Sequence, residues 1–213
     1  MEPSQPPRDC GLCPRLGEFR ERHRAAEPGW HNAPVASFGP LDARLLVVGL
    51  APGLRGANRT GRPFTGDYAG DLLYATLLDF DFATGRYDRR ADDGLALVDC
   101  RVTNAVRCVP PENRPLGAEA NACRRFLAGE IEAMPRLAVI LALGTVAHAS
   151  VVRALGRRLA DLKFGHGAMH PLDGGPVLAD SYHCSRYNLN TGRLTEAMFH
   201  AVFAILRETL DRG

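Results

Sequence analysis

The run Arg44-Leu45-Leu46-Val47-Val48-Gly49, passing directly into Leu50-Ala51-Pro52-Gly53, decides the fold of this chain. Four consecutive branched aliphatic residues with no polar residue among them do not alternate between a core face and water, so the run reads as a strand buried on both faces. Three further runs read the same way: Val98 to Val106, Leu137 to Leu143 and Pro176 to Tyr182. Between them lie amphipathic stretches at about Gly70 to Asp79, Ala118 to Met134 and Thr145 to Leu155, and a final one spans Leu194 to Leu210. Strands alternating with helices predict parallel pairing and right-handed crossovers, with helices covering both faces. The expected fold class is therefore α/β: a three-layer α/β/α sandwich with a central four-stranded parallel sheet. A chain of 213 residues suits one domain over 1–213, preceded within it by an N-terminal segment, 1–30, that lies outside the alternation.

Ligands in open parallel sheets bind outside the carboxyl ends of the strands. Those ends run into Gly49-Leu50-Ala51-Pro52-Gly53, Asn104, Gly144-Thr145 and His183-Cys184-Ser185-Arg186, so glycine-rich and polar groups converge on one rim. Convergence locates a site without naming its chemistry. The segment Phe80 to Gly94 has four aspartates among arginines and no apolar period, and reads as a solvated loop. With 46% hydrophobic and 23% charged residues, and no apolar run near the ~18–20 residues that span a bilayer, the chain reads as soluble, with no membrane partner. Met1 to Asp9 has no apolar stretch, so the expected compartment is cytoplasmic. The net charge of +2 is too small to announce a polyanion, and any grip on phosphate must come from local arrangement. Lys163 is the only lysine; the other basic side chains are arginines, whose planar fork suits phosphate.

Six cysteines in a cytoplasmic chain of this size have little use for disulfides, which makes a metal role the better reading. Cys10-x-x-Cys13 lies in a proline-rich segment before any strand, unlike a thioredoxin-type redox motif at a helix start. Four thiolates suit zinc and iron–sulfur clusters equally on spacing. Cys100 falls inside a strand and reads as packing, and Cys184 as volume filling.

Taken in order, Cys10-x-x-Cys13, Gly49-Leu50-Ala51-Pro52-Gly53, Asn58-Arg59-Thr60-Gly61-Arg62-Pro63-Phe64-Thr65-Gly66-Asp67, Asn104, Cys108, Cys123 and His183-Cys184-Ser185 make the chain resemble the iron–sulfur uracil-DNA glycosylases, specifically their type-5 branch. The likeness runs from Cys10 to Thr191-Gly192-Arg193-Leu194-Thr195-Glu196. It implies a [4Fe–4S] cluster held by Cys10, Cys13, Cys108 and Cys123, with zinc as the alternative for the same residues. It also implies a monomeric repair enzyme that flips uracil, and other deaminated bases such as hypoxanthine, out of double-stranded DNA. The N-glycosidic bond is then hydrolysed and an abasic site left. Extruding the base in this way is the general solution when chemistry must reach it.

The resemblance also assigns roles. Phe64 stacks on the flipped base, Asn104 both donates to and accepts from its edge, and the backbone of Gly49, Ala51 and Gly53 approaches it closely. His183 donates to the uracil O2 as negative charge develops. Arg186, Tyr187, Asn188 and Leu189 form a wedge that fills the hole in the duplex, while Arg59 supports the DNA-facing loop and Arg193 meets phosphate. The first loop lacks the acidic or polar water-handling residue of better-known glycosylases. Asp67 is the replacement, with Asp71 as the fallback; Asp67 also reads as a cap for the helix near Gly70. Cys184 departs from the relatives' pattern, and His166 receives no role. The empty first loop leaves a second hypothesis open, a catalytically silent iron–sulfur protein that binds damaged DNA. A zinc-dependent small-molecule hydrolase is weaker, because four thiolates leave the metal no open position.

Overall fold

The computed structural model describes residues 5–212. In chain order its elements begin with α1 (Pro14–Ala26), β1 (Leu45–Gly49), α2 (Ala57–Thr60), α3 (Tyr68–Asp79), β2 (Ala83–Thr84), β3 (Ala96–Leu97) and β4 (Cys100–Asn104). They continue with α4 (Gly117–Ala133), β5 (Val139–Leu143), α5 (Thr145–Ala154), β6 (Met169–His170), β7 (Val177–Ser181), α6 (Arg186–Asn190) and α7 (Glu196–Asp211).

The four aliphatic runs become four parallel strands in the order β4-β1-β5-β7. Each strand of the central pair is buried along its whole length, and its two faces enter different cores. Leu45, Val47, Val139 and Leu141 meet Leu73 and Leu77 of α3 and Phe199 and Phe203 of α7. Leu46, Val48, Ile140 and Ala142 meet Leu127 of α4 and Val151 of α5. This is the three-layer arrangement that the unbroken apolar runs demand, and each fully buried Val, Leu, Ile or Phe contributes about 1.5–3 kcal/mol.

The sheet differs from the expected four strands by a fifth. The two-residue β6 pairs antiparallel with β7 at the edge, and a segment so short and polar leaves no periodic signature. The stretch Phe80 to Gly94 is not simply a solvated loop: it carries β2, which pairs with β3, and the side chain of Asp93 is only 1% exposed against Arg62. The N-terminal segment holds α1, which opens with Pro14 at its first turn, a position where proline's missing N–H costs nothing, and buries Leu16 and Arg20. The last helix begins at Glu196 rather than Leu194, because the Thr195 hydroxyl accepts from the backbone N–H of Met198 and caps it there.

A buried charge cluster joins these parts. Glu130 of α4 accepts from Arg101 of β4, from Arg107 just beyond it, and from the Ser37 hydroxyl. Burial pushes the Glu130 carboxyl up, but Arg107, Ser37 and Arg101 outweigh it and hold the group below the usual carboxylate range. Removing one partner from such a pair commonly costs about 3–5 kcal/mol, because the other charge is left uncompensated. No helix among the described residues is long and apolar enough to cross a membrane.

Candidate active site

A cavity of about 450 Å³ opens at the carboxyl ends of the parallel strands, where the topology predicts it. Behind it Gly49 ends β1 opposite Asn104, the last residue of β4. A Cβ on Gly49 would fall 2.3 Å from Cζ of Phe64 and 2.5 Å from Oδ1 of Asn104. Glycine therefore lets an aromatic ring and an amide close over the strand end together. Phe64 and Asn104 are 6% and 3% exposed, and they lie behind the open cavity rather than on its walls.

Phe64 sits there at a backbone φ of +53°, a left-handed conformation that costs a bulky residue about 1–3 kcal/mol unless its surroundings impose it. They do. The Tyr74 hydroxyl donates to the Pro63 carbonyl at 2.5 Å, and the Tyr87 hydroxyl donates to the Phe64 carbonyl at 3.3 Å. Arg62 donates to Thr65 Oγ1 and grips Asp93 through two bonds of 2.8 Å. Its guanidinium also lies over the rings of Phe38 and Tyr74. Burial alone would raise the Asp93 carboxyl, but Arg62 and two backbone N–H groups hold it well below its ordinary value.

Asp67 lines the cavity and also caps α3, its carboxylate accepting from the N–H of Gly70 at 3.2 Å. The two sequence expectations for this residue coexist. A Cβ on Gly53 would come 2.8 Å from Asp67 Oδ2, and one on Gly56 would come 2.5 Å from it. The carboxylate is thus delivered from the neighbouring turn against the glycines of the first loop, which has no acid of its own. Burial raises its pKa, against the pull of the Gly70 and Ala69 N–H groups. Asp71 instead pairs with Arg89 at the surface and is absent from the cavity lining.

His183 follows β7, and its ring stacks on Phe64 with centroids 6.0 Å apart and planes 24° from parallel. Desolvation pushes its pKa down to about 4, so the imidazole is neutral at neutral pH. Arg186 to Leu189 divide their tasks. Asn188 donates to the His183 carbonyl at 2.8 Å, Arg186 is exposed and lies over the Tyr68 ring, and Leu189 packs against the core. Tyr187 projects, at 71% exposure. Arg193 lies on the cavity wall over the ring of Tyr182, before rather than within the last helix. Arg59 is exposed on α2 and does not line the cavity, whereas its neighbour Asn58 is buried and donates to Asn32 at 2.9 Å. Cys184 is wholly buried with its thiol on the Ala69 carbonyl, as a volume-filling residue would be.

Sequence reasoning missed Tyr68, Asn113, Phe164 and Tyr182 on the walls. Phe164 was within reach, since it opens a glycine loop beside His166. Behind that loop, buried Asp180 accepts from His148 and His170 at 2.8 and 3.1 Å, and from the N–H of Gly165. The three side chains are close enough to hold a metal ion, yet both ring nitrogens of His148 are already engaged, one by Asp180 and the other by the Leu162 carbonyl. The trio works as a hydrogen-bonded anchor for the strand that leads to His183.

Away from the cavity, Cys10, Cys13, Cys108 and Cys123 line one small recess, while Cys100 and Cys184 lie in the sheet core. The thiols are costly to ionise there: Cys13 is pushed up to about 11 and Cys108 to about 12 by burial first and by neighbouring thiols second. Two buried arginines flank the recess, and among the described residues the Nε of each has no hydrogen-bond partner. Arg20 approaches Cys108 Sγ, and the backbone N–H of Arg107 donates to Cys123 Sγ at 3.3 Å. Buried cations and N–H donors aimed at sulfur fit thiolates that a bound metal keeps deprotonated.

This sheet, rim and cysteine recess define a class. Residues 36–207 match the model of the Uracil DNA glycosylase superfamily. The chain is 45% identical over 196 residues to a type-5 uracil-DNA glycosylase of Thermus thermophilus, covering 89% of each. It is 41% identical over 203 residues to one of Mycobacterium leprae, covering 91% of this chain and 88% of the relative. A type-4 uracil-DNA glycosylase of Thermotoga maritima is 38% identical over 114 residues, 53% of this chain and 51% of the relative. The chain belongs to the uracil-DNA glycosylase superfamily and, within it, to the type-5 family.

The double duty of Asp67 separates by substitution. Asp67→Ala loses the helix cap and should lower stability by about 1 kcal/mol, whereas Asp67→Asn, an equally good cap, should melt close to the native protein. Equal melting of the two variants would contradict the capping role.

Proposed function

We propose that this chain excises uracil from double-stranded DNA by hydrolysing its N-glycosidic bond, leaving an abasic site. The observation that carries the reading is that Asp67 and neutral His183 share one cavity above the stack of Gly49, Phe64 and Asn104. A base extruded from the duplex enters the cavity, and for it to stack on Phe64 and meet the Asn104 amide, as the resemblance implies, the side chains in front of these two must move aside, because both lie behind the cavity walls. As the bond from C1′ to N1 breaks, the electron pair stays on the base, and His183 donates a hydrogen bond to the O2 that takes up the charge. Asp67 orients water toward C1′, receives its proton as the new C–O bond forms, and steadies the sugar cation meanwhile. The raised pKa of Asp67 makes it a better base than an exposed carboxylate. Tyr187, a large apolar side chain projecting from α6 at 71% exposure, is the wedge that enters the duplex, and Arg193 meets phosphate. A cavity of this volume also has room for hypoxanthine, and we extend the proposal to that base. The presence of Asp67 against Gly53 and Gly56 supports catalysis over a silent damage-binding protein, since it supplies the acid missing from the first loop. The reading carries with it a monomeric, cytoplasmic enzyme.

We assign the cysteine recess to a [4Fe–4S] cluster with a structural task. Bound there, the cluster joins the N-terminal segment to β4 and α4, and no step of the hydrolysis passes through it.

His183→Ala and Asp67→Asn should each slow single-turnover uracil release by about 10²–10³-fold while keeping DNA binding. Native rates would remove the residue from the mechanism. The native rate should fall on the acid side as Asp67, whose pKa is raised by burial, takes up a proton and can no longer accept one from water. An acidic limb that persists unchanged in the residual activity of Asp67→Asn would contradict that role. For the cluster, anaerobically purified protein should contain iron and acid-labile sulfide in equal amounts, and Cys108→Ala should lose both together with the visible absorbance. Zinc without iron would overturn that assignment.

A further inference from the structure

A second depression, of about 550 Å³, runs between the N-terminal half of α4 and the length of α5. It meets the candidate active site at Thr145 and Val146, which line both. The two hollows thus adjoin across the start of α5. Arg124 of α4 and Arg153 of α5 stand on its walls with Asn121 and Ser150, and no carboxylate is among the lining residues.

Several arginines elsewhere are neutralised by carboxylates, whereas among the described residues this pair is not. Arg15, Arg24, Arg44, Arg89, Arg90 and Arg158 each face a carboxylate within 3.0 Å. The Arg124 guanidinium instead meets only the neutral side chain of Asn121 among the described residues, and its buried Nε has no partner. A net charge of +2 gives the chain no general attraction for a polyanion, so a pair of uncommitted arginines beside the cavity carries weight. Gly117, Ala120 and Ala149 keep the floor low enough for a backbone to approach. Leu116 and Val146, 53% and 41% exposed, offer apolar surface to sugar rings at the edge.

We infer that this depression carries the phosphodiester backbone of the DNA flanking the nucleotide held in the cavity, with Arg124 and Arg153 gripping its phosphates. The inference rests on reading the cavity as the pocket for a DNA base. Arginine's fork suits such contacts, and each phosphate neutralised releases condensed counterions, so the contacts are visible in the salt dependence of binding.

The test measures binding of an undamaged duplex over a range of salt concentrations for the native protein, for Arg124→Gln/Arg153→Gln, and for Arg125→Gln. Arg125 is an exposed arginine on the same helix, outside the depression. The double variant should bind several-fold more weakly at low salt, and its plot of log affinity against log salt should be shallower by roughly 1–2, about 0.9 per lost contact. Arg125→Gln should follow the native line. An unchanged slope in the double variant, or an equal change in Arg125→Gln, would overturn the inference. If the double variant fails to fold, each single variant should show about half the change. Uracil release by the native protein is scored separately: its absence would sink the glycosylase reading, while the salt slopes would still report on the depression.

Discussion

The site depends on one missing side chain. β1 ends at Gly49, and in the space a Cβ would fill stand the ring of Phe64 and the amide of Asn104. Those groups come from a left-handed turn and from the adjacent strand, so the sheet register and the turn must both be fixed before they can meet. The turn is held from three sides by Tyr74, Tyr87 and the Arg62–Asp93 pair, which together offset its strained backbone. The same economy recurs one loop further on, where Gly53 and Gly56 make room for Asp67. A glycine-rich loop without an acid thus becomes the seat of one.

Buried charge organises the other half of the molecule. Glu130 holds Arg101 and Arg107, and Arg107 is the residue before Cys108. The recess for the four cysteines is therefore braced against β4, the strand that ends in Asn104. Such clusters are poor sources of net stability compared with apolar packing, but breaking one is expensive, and their directional bonds fix a unique arrangement. Here they set the path of the chain between the cysteine recess and the active-site rim.

Much of this was legible in the sequence because its causes are local or periodic. Unbroken aliphatic runs such as Leu45 to Val48 admit few readings other than a doubly covered strand, and the strand ends then locate the rim. Cys10, Cys13, Cys108 and Cys123 were separable from Cys100 because the latter sits inside an apolar run. What escaped was set by tertiary contacts. Asp93 looks solvated in a charged segment until Arg62 is seen above it, and β6 is too short to show a period. Phe64 and Asn104 read as wall residues but lie behind the wall, because nothing in the sequence reports how far Gly49 lets them sink. The two readings of Asp67 looked like rivals, yet a carboxylate has enough lone pairs to cap a helix and face a cavity together.

The account is tested most directly at Gly49, by single-turnover release of uracil from a duplex with one U·G pair, comparing native protein with Gly49→Ala below the melting temperature of both. Displacing Phe64 and Asn104 by about an ångström should slow release by about 10²-fold or more, with metal content unchanged. A Gly49→Ala protein that releases uracil at the native rate would show that the close approach over the strand end does not build the base pocket.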